Sequence, residues 1–222
     1  MKQLIIFDFD GVIADSEVLS NTVLAACVSE AGLPTTLDDA YRLYMGKRVP
    51  DIAAAVEATL GRALRPGFGQ DFQARALARF RRDLQAVAGA RDYLKAFPQL
   101  QRCIASTSSP DRLELCLDVL ALTDGFGANV FSSELVPRGK PYPDIFLYAA
   151  KQMGVGPAEC IVIEDSVSGV QAGVAAGMTV IGLLAASHIR DGHGERLRKA
   201  GADFVAETFD DVSEITRKLL AA

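Results

Sequence analysis

Three clusters of acidic and hydroxyl side chains stand out because each directly follows a short apolar run. The clusters are Asp8-Phe9-Asp10-Gly11, Ser106-Thr107-Ser108-Ser109 and Glu164-Asp165-Ser166. Alternate residues of an extended chain face the same way, so Asp8 and Asp10 can both face one site while Phe9 turns back into the core. Carboxylate groups that lie together suit a hard cation, and hydroxyl groups beside them could bind an anion such as phosphate.

A magnesium site beside a phosphate site is the chemistry that these residue types favour. Two close acids raise each other's pKa unless a cation lies between them. Glu164 and Asp165 would complete an oxygen-rich ligand set, which suits magnesium better than a soft metal. Lys140, in a loop between glycine and proline, could add a fixed positive charge. The cation, the lysine and the hydroxyl groups would together hold a phosphate group that carboxylates alone would repel.

Such a site permits the transfer of a phosphoryl group in two steps. One carboxylate attacks phosphorus and forms an aspartyl-phosphate, which water then hydrolyses. The metal and the lysine would offset the charge on the phosphoryl oxygens during the transfer. The second aspartate would protonate the leaving oxygen and then take a proton from the attacking water.

Five short apolar runs predict the strands that would position these residues. They are LIIF (4–7), RCIA (102–105), CIVI (160–163), TVIGL (179–183) and DFVA (203–206). Continuous apolar runs are typical of strands buried on both faces of a parallel sheet, and helical patterns at 110–122, 143–153 and 168–177 separate them. This alternation predicts an α/β fold with a doubly wound parallel sheet. The carboxyl ends of parallel strands form one edge, so the three clusters would meet in one cleft.

A long helical block interrupts the alternation after the first strand. No convincing strand lies between residue 17 and about residue 88, and helical patterns cover 17–31, 51–60 and 68–87. An insertion of this size predicts a second, smaller domain. We therefore expect a core domain formed by residues 1–15 and 87–222 and an inserted all-helical domain formed by residues 16–86.

Composition excludes several other classes of protein. The 222 residues carry a net charge of -5 and no basic run, which argues against a nucleic-acid or anionic-membrane surface. No apolar stretch approaches the roughly 20 residues of a membrane-spanning helix, and the first ten residues do not resemble a secretory signal. Four scattered cysteines without a C-x-x-C pair favour a reducing, cytoplasmic location. We expect His188 and His193, in a polar loop, to lie at the surface.

The order of the motifs resembles that of the haloacid dehalogenase superfamily over nearly the whole chain. The matching segments are DFDGVIADSE from Asp8, ASTSS with Ser106, GKPYPDIF with Lys140, and VIEDSVSGVQAG with Glu164 and Asp165. They are most similar to the β-phosphoglucomutase-like branch, whose phosphatases and mutases carry a helical cap after the first motif. The resemblance implies a Rossmann-like core and a hydrolase.

The same resemblance implies a role for each matching residue. Asp8 would be the nucleophile and Asp10 the general acid/base. The implied magnesium ligands are Asp8, the main-chain carbonyl of Asp10, Asp165 and, as a ligand or a partner of one, Glu164. The implied phosphate ligands are Ser106, Thr107 and Lys140. The cap would select the leaving group, and we predict that the loop 46–49, with Gly46, Lys47 and Arg48, faces the substrate.

Departures from the family pattern narrow the activity. Dehalogenases and phosphonoacetaldehyde hydrolases of the superfamily lack the second aspartate, so Asp10 argues against both. Sugar phosphomutases of this branch carry a histidine ten residues after that aspartate and an arginine three residues after the cap glycine, where this chain has Ser20 and Val49. The resemblance therefore favours a phosphatase that hydrolyses a small phosphomonoester, a sugar phosphate or sugar-acid phosphate. A sugar phosphomutase is the alternative.

Two functions from other classes also fit parts of the pattern. A signalling receiver domain uses an acid pair, an acceptor aspartate, a hydroxyl and a lysine, but it is much shorter and has no inserted domain. A catalytically idle interaction protein has no need of the complete set Asp8, Asp10, Lys140 and Asp165. We expect an enzyme that binds neither nucleic acid nor membrane and acts as a monomer that closes over its substrate.

Overall fold

The computed structural model describes residues 2–45 and 47–221 of the chain. These residues form two compact units. The core unit comprises Met1–Asp15 and Gln85–Ala222, and the helical unit comprises Ser16–Leu84. Within the described ranges, no helix combines the length and the apolar character needed to cross a membrane.

A parallel six-stranded sheet forms the centre of the core unit. Its strands are β1 Leu4–Phe7, β2 Gln101–Ser106, β3 Val130–Ser132, β4 Cys160–Glu164, β5 Thr179–Leu183 and β6 Phe204–Ala206. The strand order is β3-β2-β1-β4-β5-β6, and every neighbouring pair is parallel. Each residue of β1 and β4 is buried, as their continuous apolar sequences predict. The predicted doubly wound α/β fold is confirmed.

The order of the strands determines where a ligand can bind in the core unit. From β1 the chain moves outward to β2 and β3, and it then returns to β4 on the other side of β1. The direction of winding therefore reverses between β1 and β4, and the crevice at the carboxyl ends of two such strands is the usual binding place in doubly wound sheets. The acidic clusters follow these two strands.

Helices of the core unit follow the strands in sequence. They are α5 Ala90–Ala96, α6 Pro110–Val119, α7 Thr123–Phe126, α8 Asp144–Gln152, α9 Val167–Ala175, α10 His193–Ala200 and α11 Phe209–Ala221. Helices α6 and α9 begin directly after two of the polar clusters in the sequence. Proline occupies the first turn of α6, where its missing N–H costs nothing, and the Ser166 side chain accepts the Gly169 N–H at the start of α9.

The helical unit contains α1 Glu17–Glu30, α2 Leu37–Tyr44, α3 Val49–Leu60 and α4 Phe68–Asp83. A stripe of buried residues, Phe68, Phe72, Ala76 and Phe80, recurs every four residues along α4 and forms its packed face. The sequence predicted that this helix continues to residue 87. It ends at Asp83 because the following segment is extended, and within the core unit the Val87 N–H donates to the Ile13 carbonyl.

Candidate active site

The first acidic cluster lies at the end of β1, next to β4. The Asp8 N–H donates to the Ile163 carbonyl at 2.9 Å, which continues the pairing of the two strands by one residue. The Asp8 side chain is buried, and Phe9 points into the core with no exposed surface, as the alternation of an extended chain predicts. Gly11 then turns the chain with a φ of +83°.

Lys140 lies buried between two carboxylates of this edge. Its Nζ donates to Asp8 Oδ1 at 2.6 Å and to Glu164 Oε1 at 2.7 Å, and only 3% of the side chain is exposed. The other oxygen of Glu164 accepts the Ser166 N–H at 2.7 Å. A lysine at this depth needs charged partners, and these two carboxylates supply them.

Burial and the neighbouring charges act on the pKa values of this pair in opposite directions. Burial raises the pKa of Asp8 well above its usual range; the ammonium group of Lys140 opposes this, and the carboxylates of Glu164 and Asp165 add to it. Burial lowers the pKa of Lys140, but the charges and hydrogen bonds of Asp8 and Glu164 outweigh burial and leave that pKa above its usual value. Lys140 is therefore a permanent cation in the site.

Three buried carboxylates at this edge fit a divalent cation. Asp8, Glu164 and Asp165 each offer an oxygen atom, and these atoms lie within 4.8 Å of one another. One lysine opposes the three carboxylates, so the cluster carries an excess of negative charge, and carboxylate oxygens are the ligands that magnesium prefers. Glu164 already accepts hydrogen bonds at both oxygens, so it positions Lys140 as well as offering a ligand atom.

Asp10 has partners different from those of Asp8. Ser108 Oγ donates to its Oδ2 at 2.5 Å, and Arg112 Nη2 donates to its Oδ1 at 2.5 Å. No motif in the sequence marks Arg112. Serine is a common N-cap residue, and a serine directly precedes the proline that opens α6. Ser109 does occupy the N-cap position of α6, but its side chain makes no cap hydrogen bond, and Ser108 binds Asp10 instead.

The remaining predicted phosphate ligands follow β2. Ser106 is buried at the end of the strand, and its Oγ accepts the Ser108 N–H at 3.1 Å. Thr107 is exposed.

Lys47 and Arg48 are exposed residues of the helical unit, where Arg48 pairs with Asp51 at 2.9 Å. Gly46, the third predicted residue of that loop, lies outside the described residues.

The prediction that the two histidines lie at the surface is wrong. Both are buried, and both contact Asp165. His188 Nε2 lies 3.1 Å from Asp165 Oδ2, and His193 Nε2 lies 2.5 Å from the Asp165 carbonyl oxygen. The polar composition of their segment gave no signal of this, because the contacts depend on how the chain after β5 folds back onto Asp165, the residue that follows β4.

Comparison with protein families identifies the chain. A model described as haloacid dehalogenase-like hydrolase matches residues 2–177, which include all four predicted motifs. The chain belongs to this family. The resemblance inferred from the motifs is therefore confirmed. The prediction that the chain is an enzyme is confirmed as well, because the family is one of hydrolases.

Individual relatives of this haloacid dehalogenase-like hydrolase include a phosphatase and a mutase. A 6-phosphogluconate phosphatase of Escherichia coli (strain K12) is 28% identical over 187 residues, which cover 84% of both chains. A β-phosphoglucomutase of Bacillus subtilis (strain 168) is 38% identical over 117 residues, 53% of this chain and 46% of that one. A solved structure of a haloacid dehalogenase-like protein of unknown function from Agrobacterium tumefaciens has a TM-score of 0.88 and 34% identity, covering 99% of this chain and 100% of that chain.

Proposed function

We propose that the chain is a magnesium-dependent phosphatase that hydrolyses a small phosphorylated metabolite, a sugar phosphate or a sugar-acid phosphate. The observation that carries this proposal is the buried cluster in which Lys140 joins Asp8 to Glu164 beside Asp165. A nucleophilic carboxylate, a fixed cation and a set of oxygen ligands are the groups that phosphoryl transfer through an aspartyl-phosphate requires. The similarity to a 6-phosphogluconate phosphatase supports the substrate class.

In the proposed mechanism Asp8 is the nucleophile. Lys140 donates a hydrogen bond to Asp8 Oδ1 and so fixes the orientation of the Asp8 carboxylate, an oxygen of which attacks phosphorus. The new bond from Asp8 to phosphorus forms as the bond from phosphorus to the leaving oxygen breaks. Asp8, the carbonyl of Asp10, Asp165 and Glu164 would hold Mg²⁺, which supplies neutralisation of the charge on the phosphoryl oxygens.

Asp10 would handle the protons in both steps. It gives a proton to the leaving oxygen as the aspartyl-phosphate forms, and it then takes one from the water that attacks phosphorus. Breaking the bond between phosphorus and Asp8 releases inorganic phosphate and restores the free carboxylate. Ser106, Thr107 and Lys140 would bind the phosphate oxygens throughout.

The helical unit would act as the cap that selects the leaving group. We assign this role to the segment that contains Gly46, Lys47 and Arg48, since Lys47 and Arg48 bring positive charge to the residues directly before α3. A sugar phosphomutase is the second candidate, favoured by the similarity to a β-phosphoglucomutase. Ser20 and Val49 argue against it, because the family resemblance implies a histidine and an arginine at these two positions in a sugar phosphomutase.

The first experiment is magnesium-dependent phosphate release from a panel of sugar, sugar-acid and two-carbon phosphates. We expect release that stops with EDTA and falls at least about 10³-fold in Asp8→Asn, since a nucleophile cannot be replaced by an amide. Asp124→Asn, the same substitution at an exposed residue of α7, is the matched control and should retain activity. No release from any compound would contradict the phosphatase, and isomerisation of β-glucose 1-phosphate would identify a mutase.

A second experiment tests the role of Asp10. Asp10→Asn should lower hydrolysis of an alkyl phosphate by about 10² to 10⁴-fold, the usual contribution of a general acid. The loss should be much smaller for p-nitrophenyl phosphate, because nitrophenolate leaves without being protonated. Equal losses on both substrates would show that Asp10 serves binding or folding and does not donate the proton.

A further inference from the structure

Two imidazole groups from one segment of the core unit contact Asp165, one at its side-chain carboxylate and one at its main-chain carbonyl. The segment runs from the end of β5 to the first residue of α10 and supplies His188 and His193. His188 Nε2 faces the carboxylate at 3.1 Å, and His193 Nε2 faces the main-chain carbonyl at 2.5 Å. Carboxylate and carbonyl oxygens only accept hydrogen bonds, so both imidazole groups donate through Nε2–H.

His193 is itself fixed by its own helix. Arg196 Nη2 lies 2.8 Å from His193 Nδ1, and a guanidinium group can only donate, so Nδ1 is the acceptor. The two hydrogen bonds therefore assign His193 the neutral tautomer that carries its proton on Nε2. An imidazole whose two nitrogen atoms are both bonded cannot turn away from Asp165 without losing both contacts.

The same segment is also tied to the loop that follows β1. The main-chain N–H and the hydroxyl of Ser187 both donate to Asp15 Oδ1, at 3.1 and 2.8 Å. The residue before His188 is thus anchored to Asp15, while His188 itself contacts Asp165. This second attachment restricts where the His188 ring can lie.

Gly11 leaves the space in which His188 and Asp165 meet. A Cβ atom at Gly11 would lie 2.0 Å from Asp165 Oδ2 and 2.9 Å from His188 Cε1. Both distances are shorter than real contacts, so only glycine permits this arrangement. The close packing of three separate segments around one carboxylate points to a requirement for its exact position.

We propose that His188 and His193 are positioning residues that set the affinity of the site for its divalent cation by holding Asp165. The proposal rests on the metal-binding role of Asp165 in the proposed function. Residues that orient a ligand carboxylate from behind typically contribute a factor of about 10 to 100 to metal affinity. Because the histidines act through their contacts with Asp165, their loss should change metal binding more than the chemical step.

Isothermal titration of the metal-free full chain with Mg²⁺, without substrate, tests this directly. We expect His188→Leu to weaken Mg²⁺ binding about 10 to 100-fold, while kcat at saturating Mg²⁺ falls much less. Tyr93→Phe is the matched control, since it removes a buried hydrogen bond of 2.8 Å to Thr216 on α11 in the same unit. That variant should lose stability but bind Mg²⁺ as the wild type does.

Two conservative variants separate positioning from packing. Glutamine can place an amide N–H near the position of Nε2, whereas asparagine is too short, so His188→Gln should recover most of the affinity and His188→Asn should not. This comparison also serves if His188→Leu fails to fold. Equal affinities of the two amide variants, or unchanged affinity in His188→Leu, would overturn the proposal and leave the phosphatase intact. Absence of Mg²⁺ binding in the wild type would instead remove the proposed function itself.

Discussion

Replacing Gly11 with alanine should lower activity, because the added Cβ atom displaces the carboxylate of Asp165. The substitution adds a Cβ 2.0 Å from Asp165 Oδ2, and contacts of a real Cβ essentially never fall below 3.0 Å. The carboxylate must therefore retreat by at least about 1 Å. It cannot do so freely, because His188 donates to the same oxygen atom and would itself lie 2.9 Å from the new Cβ.

The magnitude has a conformational part and a positional part. Gly11 has a φ of +83°, and an L-residue in the left-handed region costs about 1 to 2 kcal/mol. Part of this is offset, because alanine loses less backbone entropy on folding, by about 0.4 to 1 kcal/mol. The positional part falls on activity: a misplacement of about 1 Å in a catalytic site can cost about 10²-fold, which corresponds to about 2.7 kcal/mol in the barrier.

A matched control isolates the positional part. Gly177 has a φ of +71°, but a Cβ there meets no atom within 4 Å. Gly177→Ala should lower the melting temperature by roughly 2 to 4 °C, as about 1 kcal/mol does in a chain of this size, and Gly11→Ala should lower it by at least as much because of the added steric contact. Only Gly11→Ala should also lose about 10²-fold in kcat/KM and weaken Mg²⁺ binding. If the two variants retain the same activity, the space beside Asp165 does not matter and the reasoning is refuted.

Two further substitutions probe the acidic edge and the helical unit. Gly169→Ala would place a Cβ 1.7 Å from Glu164 Oε1, so we expect phosphate release to fall about 10²-fold. Gly125→Ala is the control and should remain active, because Gly125 is an exposed helical glycine and a Cβ there meets no atom within 4 Å. Asp39, which completes the capping box of α2, has a pKa lowered to about 2 by its hydrogen bonds, so its contribution to stability is present above about pH 4 and is lost as the pH falls towards 2. In acid unfolding followed by circular dichroism, Asp39→Asn should be less stable than Asp38→Asn at pH 6, and a difference that does not shrink between pH 4 and pH 2 would contradict this linkage.

The fold could be predicted wherever the burial of a strand is continuous along the sequence. The apolar runs at 4–7 and 179–183 coincide with β1 and β5, because strands covered on both faces need apolar residues at every position. Strand β3 was missed for the opposite reason. It is three residues long, it lies at the edge of the sheet, and Val130 is only partly buried, so its sequence carries no comparable run.

The site was predictable only where its residues follow strands directly. A parallel sheet brings the ends of β1, β2 and β4 to one edge whatever the loops do, so Asp8, Ser106 and Glu164 follow from the pattern alone. Arg112 and the two histidines do not. Arg112 meets a partner 102 residues away in sequence, and the histidines depend on the path of the loop after β5. Local composition predicts such residues at the surface because it contains no information about the partner.

The separate partners of the two aspartates suit the separate roles proposed for them. Lys140 has 3% of its side chain exposed, whereas Arg112 has 23%, so the cation beside Asp8 is the more deeply buried. Separating a buried pair leaves an uncompensated charge, which keeps Lys140 on Asp8, and water screens the pair formed by Asp10 more effectively. A nucleophile benefits from a carboxylate that does not move. A group that gives and takes protons must instead exchange partners during the cycle, and the weaker, more exposed pair with Arg112 allows Asp10 to do so.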